Sequence, residues 1–459
     1  MTKIMRTICG VLTVMLLLVS CMKSNDNSAS LYSDTAITSF SVGTLTRYVH
    51  TTSSTGADSV YKVSVTGSDY KFSIDQLNHH IFNVDSLPVG TDVTKVLCNV
   101  SALNNGGVYV EDLEEKDVLL FYAVDSVDFT VPRTFRVYAS DGSGYESYTV
   151  EVNVHKEDSE EFAWNSHASY AELTALEKMK AVILNGQLLV YGLKDSRTVG
   201  YATSDGESWE VLTEVDDKDA YQSMVVNNDT LYTLTNGSLI YSLDGKTWEE
   251  VGDASSIVKL VAASYQDIYG LTAEGTLMKL DRYKKEKEWK EDAFEEGADL
   301  SMLPSEQIAF SCYPAEMTYY ADYVIMAGIS ANVGEIASVW RKIVEYDFQG
   351  GDDKWIYIDR NDGNQFALPQ LQQLVMMYYD NSLLAWGLSE EGISPVYQSR
   401  DNGLVWRKDS RYKLPEAFSE GSATIFSAAT DGTEIWIVSG DTGDVWSGHL
   451  NRIAWNTAE

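Results

Sequence analysis

The acidic side chains are the residues with the clearest capacity for chemistry, because the chain carries 68 Asp and Glu in 459 residues. Hydrolysis of a glycosidic bond needs two carboxylates at a fixed separation, one to donate a proton and one to act as base or nucleophile. The sequence offers too many candidates to select such a pair. We therefore predict no individual catalytic residue.

The six histidines are the other common source of catalytic or metal-binding groups. None stands in an H-E-x-x-H pattern, and His79 and His80 on one strand would point to opposite faces. No P-loop, G-x-G-x-x-G or G-x-S-x-G motif occurs where a strand and a helix would give it meaning. We predict no metal and no cofactor.

Three short runs combine Asp, Gly and Trp: YATSDGESWEV at 201–211, YSLDGKTWEEV at 241–251 and YQSRDNGLVWRK at 397–408. The third resembles the Asp box (S-x-D-x-G-x-x-W) of sialidase-like propellers, and the second its one-residue-shorter form. In such a turn the Asp accepts amide hydrogen bonds, the Gly supplies a positive φ, and the Trp packs beneath the turn. We predict a structural role for Asp205, Gly206, Trp209, Asp244, Gly245, Trp248, Asp401, Gly403 and Trp406.

The strands that must position these turns recur along residues 162–459. Six tryptophans taken as equivalent are spaced by 39, 41, 66, 51 and 40 residues: Trp209, Trp248, Trp289, Trp355, Trp406 and Trp446. Periods of this size with four strands each indicate a β-propeller. Six blades of about 50 residues are favoured, and seven of about 43 are the alternative. Phe162–Trp164 and Ile453–Trp455 form near-identical runs, so we expect the first to pair into the last blade and close the ring.

The arginines of this segment argue against a sialidase, which needs three of them around a carboxylate. None of the eight falls on a predicted innermost strand, and the Phe/Tyr-Arg-Ile-Pro opening of that family is absent: Arg197, Arg282, Arg341, Arg360, Arg400, Arg407, Arg411 and Arg452.

Residues 35–155 have a different composition, because all eleven tryptophans follow residue 163. Alternating apolar residues around Phe135 and Tyr148, separated by a turn at Asp141–Gly144, predict a hairpin of a β-sandwich. We therefore predict an all-β chain, an immunoglobulin-like sandwich at 35–155 followed by the propeller at 162–459. The apolar-free segment 156–161 (KEDSEE) is expected to be a solvated linker. Cys98 and Cys312 lie in different domains and are expected to be free thiols.

The amino-terminal residues predict where in the cell the protein is located. Lys3 and Arg6 precede an apolar run of twelve residues, Ile8 to Val19, which is too short to cross a bilayer as a helix. Leu18–Cys21 resembles the bacterial lipobox, in which the Cys thiol is acylated. We predict a signal peptide at 1–20, lipidation of Cys21 and a flexible tether at 21–34, so that the partner of this end is a membrane. The expected location is the cell envelope, as an outer-membrane lipoprotein of undetermined face.

The charge of the chain limits its partners. The formal net charge is −34, and we expect no basic patch of the kind that binds nucleic acid. Such a chain repels nucleic acid, so we predict no nucleic-acid partner.

Three strings resemble a family of Bacteroidales lipoproteins of unknown function: IFNVDSLPVGTDV at Ile81, DSVDFTVPRTFRVYASDG at Asp125 and VWSGHLNRIAW at Val445. The resemblance implies an immunoglobulin-like module before a six- to seven-bladed propeller, and no established activity. With no catalytic set visible, we predict a binding or scaffold module for a glycan or a protein. The alternative is a carbohydrate-active hydrolase with two facing carboxylates in the propeller axis.

Overall fold

The computed structural model describes residues 30–52, 58–113, 117–315, 320–332, 334–346, 354–359, 366–421 and 423–454. Residues 1–20, Cys21 and Trp455 lie outside these ranges. The chain divides between Glu157 and Asp158 into two compact units. Within the described ranges, no helix is both long enough and apolar enough to span a bilayer.

The first unit contains eleven strands among its described residues: β1 (Ile37–Val42), β2 (Thr44–Thr52), β3 (Asp58–Thr66), β4 (Phe72–Asp75), β5 (His80–Asn83), β6 (Val96–Ala102), β7 (Gly107–Glu111), β8 (Val118–Leu120), β9 (Ser126–Val127), β10 (Arg133–Tyr138) and β11 (Tyr145–Glu151). They form a three-stranded sheet, β1-β6-β9, a six-stranded sheet, β4-β5-β11-β10-β7-β8, and the separate ribbon β2-β3. All pairs are antiparallel except β5 with β11.

One apolar core joins the two larger sheets of this unit. Phe40 on β1 packs edge to face with Phe135 on β10, with the ring centroids 6.1 Å apart. The predicted hairpin is confirmed: β10 and β11 pair in register from Arg133↔Val150 to Tyr138↔Tyr145. Gly142 in the connecting turn has a φ of 76°, a conformation that glycine adopts without a steric penalty. Cys98 is a buried free thiol in this core, and burial raises its pKa to about 12.

Among its described residues, the second unit contains six antiparallel sheets, each with a path of four strands from the inside to the outside. The first sheet contains β13 (Lys178–Leu184), β14 (Gln187–Lys194), β15 (Arg197–Thr203) and β16 (Glu210–Val211), and the second contains β17 (Val225–Asn227), β18 (Thr230–Thr235), β19 (Ser238–Ser242) and β20 (Glu249–Asp253). The third contains β21 (Ile257–Ala263), β22 (Asp267–Thr272), β23 (Leu277–Asp281) and β24 (Lys290–Glu291), and the fourth contains β25 (Glu306–Pro314), β26 (Ala321–Ile329), β27 (Ser338–Glu345) and β28 (Ile356–Tyr357). The fifth contains β29 (Gln372–Tyr379), β30 (Ser382–Ser389), β32 (Tyr397–Ser399) and β33 (Arg407–Lys408), with the short strand β31 (Gly392–Ile393) paired to β30.

The sixth sheet contains β34 (Phe426–Thr430), β35 (Ile435–Ser439) and β36 (Val445–Leu450), and its outermost strand is β12 (Phe162–Ser166). The predicted closure is therefore confirmed, with Phe162 opposite Leu450 and Ser166 opposite Trp446. Two four-residue helices complete the described elements, α1 (Glu416–Ser419) and α2 (Asn451–Ala454), together with 3-10 turns at Gly67–Asp69, Leu103–Asn105, Ala171–Ala175, Ala220–Ser223 and Leu300–Met302.

The inner strands make this unit a propeller. β13, β17, β21, β25, β29 and β34 each contact the next, and β34 contacts β13, so the inner strands form a closed circle. Because every sheet repeats the same antiparallel order, all six inner strands begin at one end of the circle. The turns between the third and fourth strands lie at the opposite end. The all-β class and the carboxyl-terminal propeller agree with the prediction.

The sequence assigned one tryptophan to the wrong place in the repeat. Trp209, Trp248, Trp289, Trp355 and Trp406 each come directly before the fourth strand of a sheet, whereas Trp446 lies within the third strand, β36. The sixth sheet takes its fourth strand from the start of the unit, so no tryptophan has to follow its third strand. The 66-residue interval between Trp289 and Trp355 spans the one sheet β25–β28.

The segment expected to be a solvated linker, 156–161, is attached to the second unit from residue 158 onward. The backbone carbonyls of Asp158, Ser159 and Glu161 accept hydrogen bonds at 2.9, 3.1 and 3.0 Å from Asn451 and Arg452. The backbone of this segment is therefore held by α2 from residue 158 onward, while Lys156, Glu157, Glu160 and Glu161 remain exposed.

Ion pairs also connect this segment to the propeller. The Glu160 carboxylate lies 3.0 Å from both Arg411 and Arg452, and Arg452 also pairs with Asp380 in the turn after β29. The network therefore ties the chain before β12 to the fifth and sixth sheets.

Candidate functional site

The predicted Asp, Gly and Trp residues lie in three turns between third and fourth strands. Asp205 Oδ1 accepts hydrogen bonds from the backbone N–H groups of Glu207 and Ser208 at 2.8 and 2.7 Å. These bonds, that from Ser208 first, lower the pKa of Asp205 to about 2. Asp205 also accepts a hydrogen bond from Thr203 Oγ1 at 3.1 Å.

The other two turns have the same construction. Asp244 accepts from the amides of Lys246 and Thr247, both at 2.8 Å, which lowers its pKa. Asp401 accepts from the Val405 amide at 2.9 Å. Each carboxylate is thus engaged by its own turn.

The glycines and tryptophans complete these turns. Gly206, Gly245 and Gly403 have φ values of 76°, 72° and 90°. The Trp406 ring is 2% exposed and its Nε1 donates to the Gly403 carbonyl at 2.9 Å, while Trp209 and Trp248 are half-buried against neighbouring strands. The hydrogen bonds of the three carboxylates hold the turns, and Trp209 stacks on Tyr170 with the ring centroids 4.9 Å apart, so these residues form a scaffold at the end of the propeller where the inner strands finish.

A second set of polar residues lies at the opposite end, where the inner strands begin. Each inner strand contributes one at its start or just before it, and we call the set the polar ring: Lys180, Ser223, Lys259, Gln307, Gln373 and Ser427. Successive members are 36 to 66 residues apart in the sequence, so only the closed circle brings them together.

Three members of the polar ring connect neighbouring inner strands. Ser427 Oγ accepts a hydrogen bond from the Ala181 amide at 2.8 Å, and Ser223 Oγ accepts one from the Leu260 amide at 3.2 Å. Gln307 Oε1 accepts one from the Gln373 amide at 2.9 Å. These contacts are structural, because each one satisfies a backbone N–H that faces the next strand.

The two lysines of the polar ring are in an unusual environment. Lys180 Nζ donates to the Gln222 carbonyl at 3.1 Å, and within the described ranges no carboxylate lies within 4 Å of Lys180 or Lys259. Enclosure by protein, and then the like charge of Lys259, lower the pKa of Lys180 from 10.5 to about 7. Burial also lowers the pKa of Lys259. Both side chains still keep some exposed surface.

Lys342 is a third enclosed lysine, and it differs from Lys180 and Lys259 because it is paired with a carboxylate. Lys342 Nζ lies 2.8 and 2.7 Å from the two carboxylate oxygens of Asp292, and Trp355 Nε1 donates to the same carboxylate at 2.7 Å. Both side chains are essentially unexposed, at 1% and 0%. Burial lowers the pKa of Lys342, and Asp292 opposes that shift. This buried ion pair joins the third and fourth sheets and is inaccessible to a ligand.

Sequence reasoning missed the polar ring, although one signal was present. Lys180 and Lys259 each interrupt an apolar strand, KMKAVIL at 178–184 and IVKLVAA at 257–263. A charged residue within such a strand is rarely accommodated without a specific partner. The glutamines gave a weaker signal, since their φ values near +50° arise at β-bulges that the sequence does not mark.

Comparison with known families gives two matches. The family model described as the DUF6242 beta propeller domain matches residues 158–458, and the one described as the N-terminal domain of the same family, a domain of unknown function, matches residues 40–152. No curated protein matches the chain.

Solved structures with similar folds are distant. A quinonprotein alcohol dehydrogenase-like protein from Bacteroides thetaiotaomicron has 10% identity and a TM-score of 0.35, over 80% of this chain and 96% of that one. The N-terminal domain of Nup159 has 10% identity and a TM-score of 0.32, over 64% and 97%. An alpha-L-arabinofuranosidase from Clostridium thermocellum has 12% identity and a TM-score of 0.32, over 57% and 81%. Similarity this low carries no argument about activity.

Proposed function

The chain belongs to the DUF6242 family, with its N-terminal domain and its beta-propeller domain, and we propose that the propeller is a binding module whose ligand site is the polar ring. One observation carries the proposal. The side chains of Lys259 and Gln373 have no hydrogen-bond partner among the residues that the structure describes, so their donors are available to a ligand. A binding site needs such unsatisfied groups directed to one place.

At the opposite end of the propeller, the described donors without a hydrogen-bond partner include the indole N–H groups of Trp209, Trp248 and Trp289, which are buried. The carboxylates of Asp205, Asp244 and Asp401 are engaged by their own turns, as Asp boxes would be. This difference supports ligand binding where the inner strands begin.

The hydrolase alternative would require two facing carboxylates. The six members of the polar ring include no carboxylate, and the acids beside them, Glu177 before β13 and Glu306 at the start of β25, are exposed, so we identify no enclosed pair of carboxylates among them. Binding of a glycan or a protein without hydrolysis is therefore the function that we favour.

Glycan binding can be tested with the full-length protein on an array of neutral and acidic oligosaccharides. We expect binding to a subset that is lost in Gln373→Met, which removes the amide and keeps the length of the side chain. Lys408→Met, on the exposed outermost strand β33, is the matched control and should bind as the wild type does. Equal binding by all three proteins would place the glycan elsewhere, and no binding to any oligosaccharide would contradict a glycan ligand.

We further propose a lipid anchor at Cys21, a cell-envelope location, and six blades that follow an immunoglobulin-like sandwich. The six sheets in a closed circle support the blade number, and the two facing sheets with a shared core support the sandwich. Metabolic labelling with a palmitate analogue should mark the wild type and not Cys21→Ala. Equal labelling of both proteins would contradict the anchor.

A further inference from the structure

The positive charges of the polar ring lack a counter-charge among the residues that the structure describes. The chain has twice as many acidic as basic residues, so carboxylate partners for lysines and arginines are abundant. Many of the described lysines and arginines form an ion pair with one. Lys180 and Lys259 are enclosed by the inner strands of the first and third sheets, and among the described residues Lys180 has the Gln222 carbonyl as hydrogen-bond partner and the like charge of Lys259 nearby. An ammonium group removed from water without a partner is costly, so such pairs are rarely kept for stability alone.

The paired lysine of the same propeller shows what a structural solution looks like. Lys342 is held by both oxygens of Asp292 and is closed off from solvent. Lys180 has only the Gln222 carbonyl at 3.1 Å, and it keeps some exposed surface. The two lysines of the polar ring therefore lack the carboxylate that the fold supplies to Lys342.

We propose that Lys180 and Lys259 bind the anionic group of a small ligand, a carboxylate or a phosphate, and that the ligand supplies the missing counter-charge. The inference rests on the proposed function and names the class of ligand. Gln373 lies on the same ring and is available to hydrogen-bond the uncharged part of that ligand. Carboxylate and phosphate oxygens suit this arrangement because each accepts charge-assisted hydrogen bonds from more than one ammonium group.

The experiment uses the full-length protein and isothermal titration calorimetry at constant ionic strength. The probes are D-glucuronate, inorganic phosphate and D-glucose. Comparison of glucuronate with phosphate distinguishes an acidic sugar from a phosphate as the ligand, and glucose is the uncharged counterpart of glucuronate. We expect saturable binding of glucuronate or phosphate, and at least tenfold weaker binding of glucose. Lys180→Met and Lys259→Met should each weaken binding of the anion about tenfold or more, as expected for loss of a hydrogen bond to a charged group.

Lys408→Met is the matched control, because Lys408 lies on the outermost strand β33 and its side chain is exposed. It should bind the anion as the wild type does. Tryptophan fluorescence of each variant verifies that the propeller is folded, since every tryptophan follows residue 163.

Two outcomes would overturn the inference: neither anion binds, or the anion binds equally well to Lys180→Met and Lys259→Met. If no anion binds but neutral oligosaccharides bind in a manner that requires Gln373, the binding module stands and its anionic ligand class is wrong. If neither class depends on the polar ring, both proposals fail.

Discussion

The enclosed ammonium of Lys180 makes the stability of the propeller depend on pH in a way that can be calculated. Its pKa falls from the ordinary 10.5 to about 7 in the folded protein, first through burial and then through Lys259. Between these two values the unfolded chain holds a proton that the folded chain has released. The free energy of unfolding therefore rises as the pH increases from 7 towards 10.5, and the penalty is fully present below pH 7.

The magnitude follows from the same two pKa values. One pKa unit corresponds to about 1.4 kcal/mol, and at pH 7 Lys180 is about half-protonated in the folded state. Between pH 7 and pH 9, the titration of Lys180 should therefore add about 2 kcal/mol to the free energy of unfolding. Lys180→Met keeps a side chain of similar length but cannot titrate at this position. Between pH 7 and pH 9 its free energy of unfolding should therefore rise by about 2 kcal/mol less than that of the wild type.

Urea unfolding monitored by tryptophan fluorescence is the assay, because all eleven tryptophans lie in the second unit and report on the propeller alone. The wild type, Lys180→Met and the exposed-residue control Lys178→Met are compared at pH 7, 8 and 9. The control should follow the wild type, since it keeps both Lys180 and Lys259. Parallel curves for the wild type and Lys180→Met would refute the enclosed position of this ammonium.

Three further perturbations test the packing of the propeller. Trp406→Ala should lower the free energy of unfolding by about 3 to 5 kcal/mol in the same fluorescence assay, because it removes a large ring that is 2% exposed; an unchanged midpoint would contradict its position beneath the turn. Asp292→Ala should cost about 3 to 5 kcal/mol by leaving the Lys342 ammonium buried and unpaired, and a loss below 1 kcal/mol would show that the ammonium reaches water. A chain of residues 158–459 should melt at a higher temperature than one of residues 162–459, because it keeps the contacts with α2; equal melting temperatures would mean that those contacts add nothing.

The sequence predicted features that depend on local pattern or on a repeat. The hairpin of β10 and β11 was visible because Phe135 and Tyr148 stand in alternating apolar runs on either side of a Gly-containing turn. The pairing of β12 with β36 was visible because the two ends of the propeller share a short run of residues. In the hairpin the paired residues carry the signal themselves, whereas in the closure the repeated run at 453–455 follows the strand that pairs with β12.

Features that depend on distant segments were beyond the sequence. Asp292 and Lys342 are 50 residues apart, and nothing near either residue identifies the other as its partner. Trp446 matched the spacing of the other tryptophans, although it belongs to a different strand of its sheet. The composition of the segment did not predict the attachment of Asp158. An acidic segment without apolar residues is expected to be solvated, and only the structure shows the donors of α2 beside it.

The two ends of the propeller differ in how their polar groups are satisfied, and this difference argues for a division of roles. At the end where the inner strands finish, Asp205 and Asp244 are engaged by amides two and three residues away. Such turns form locally and need nothing from a partner. At the other end, Lys180 and Lys259 are brought together by two different sheets and share no carboxylate within the described ranges. A fold that can neutralise a lysine with Asp292, yet leaves these two without a counter-charge, holds them in a state that an anionic ligand would stabilise.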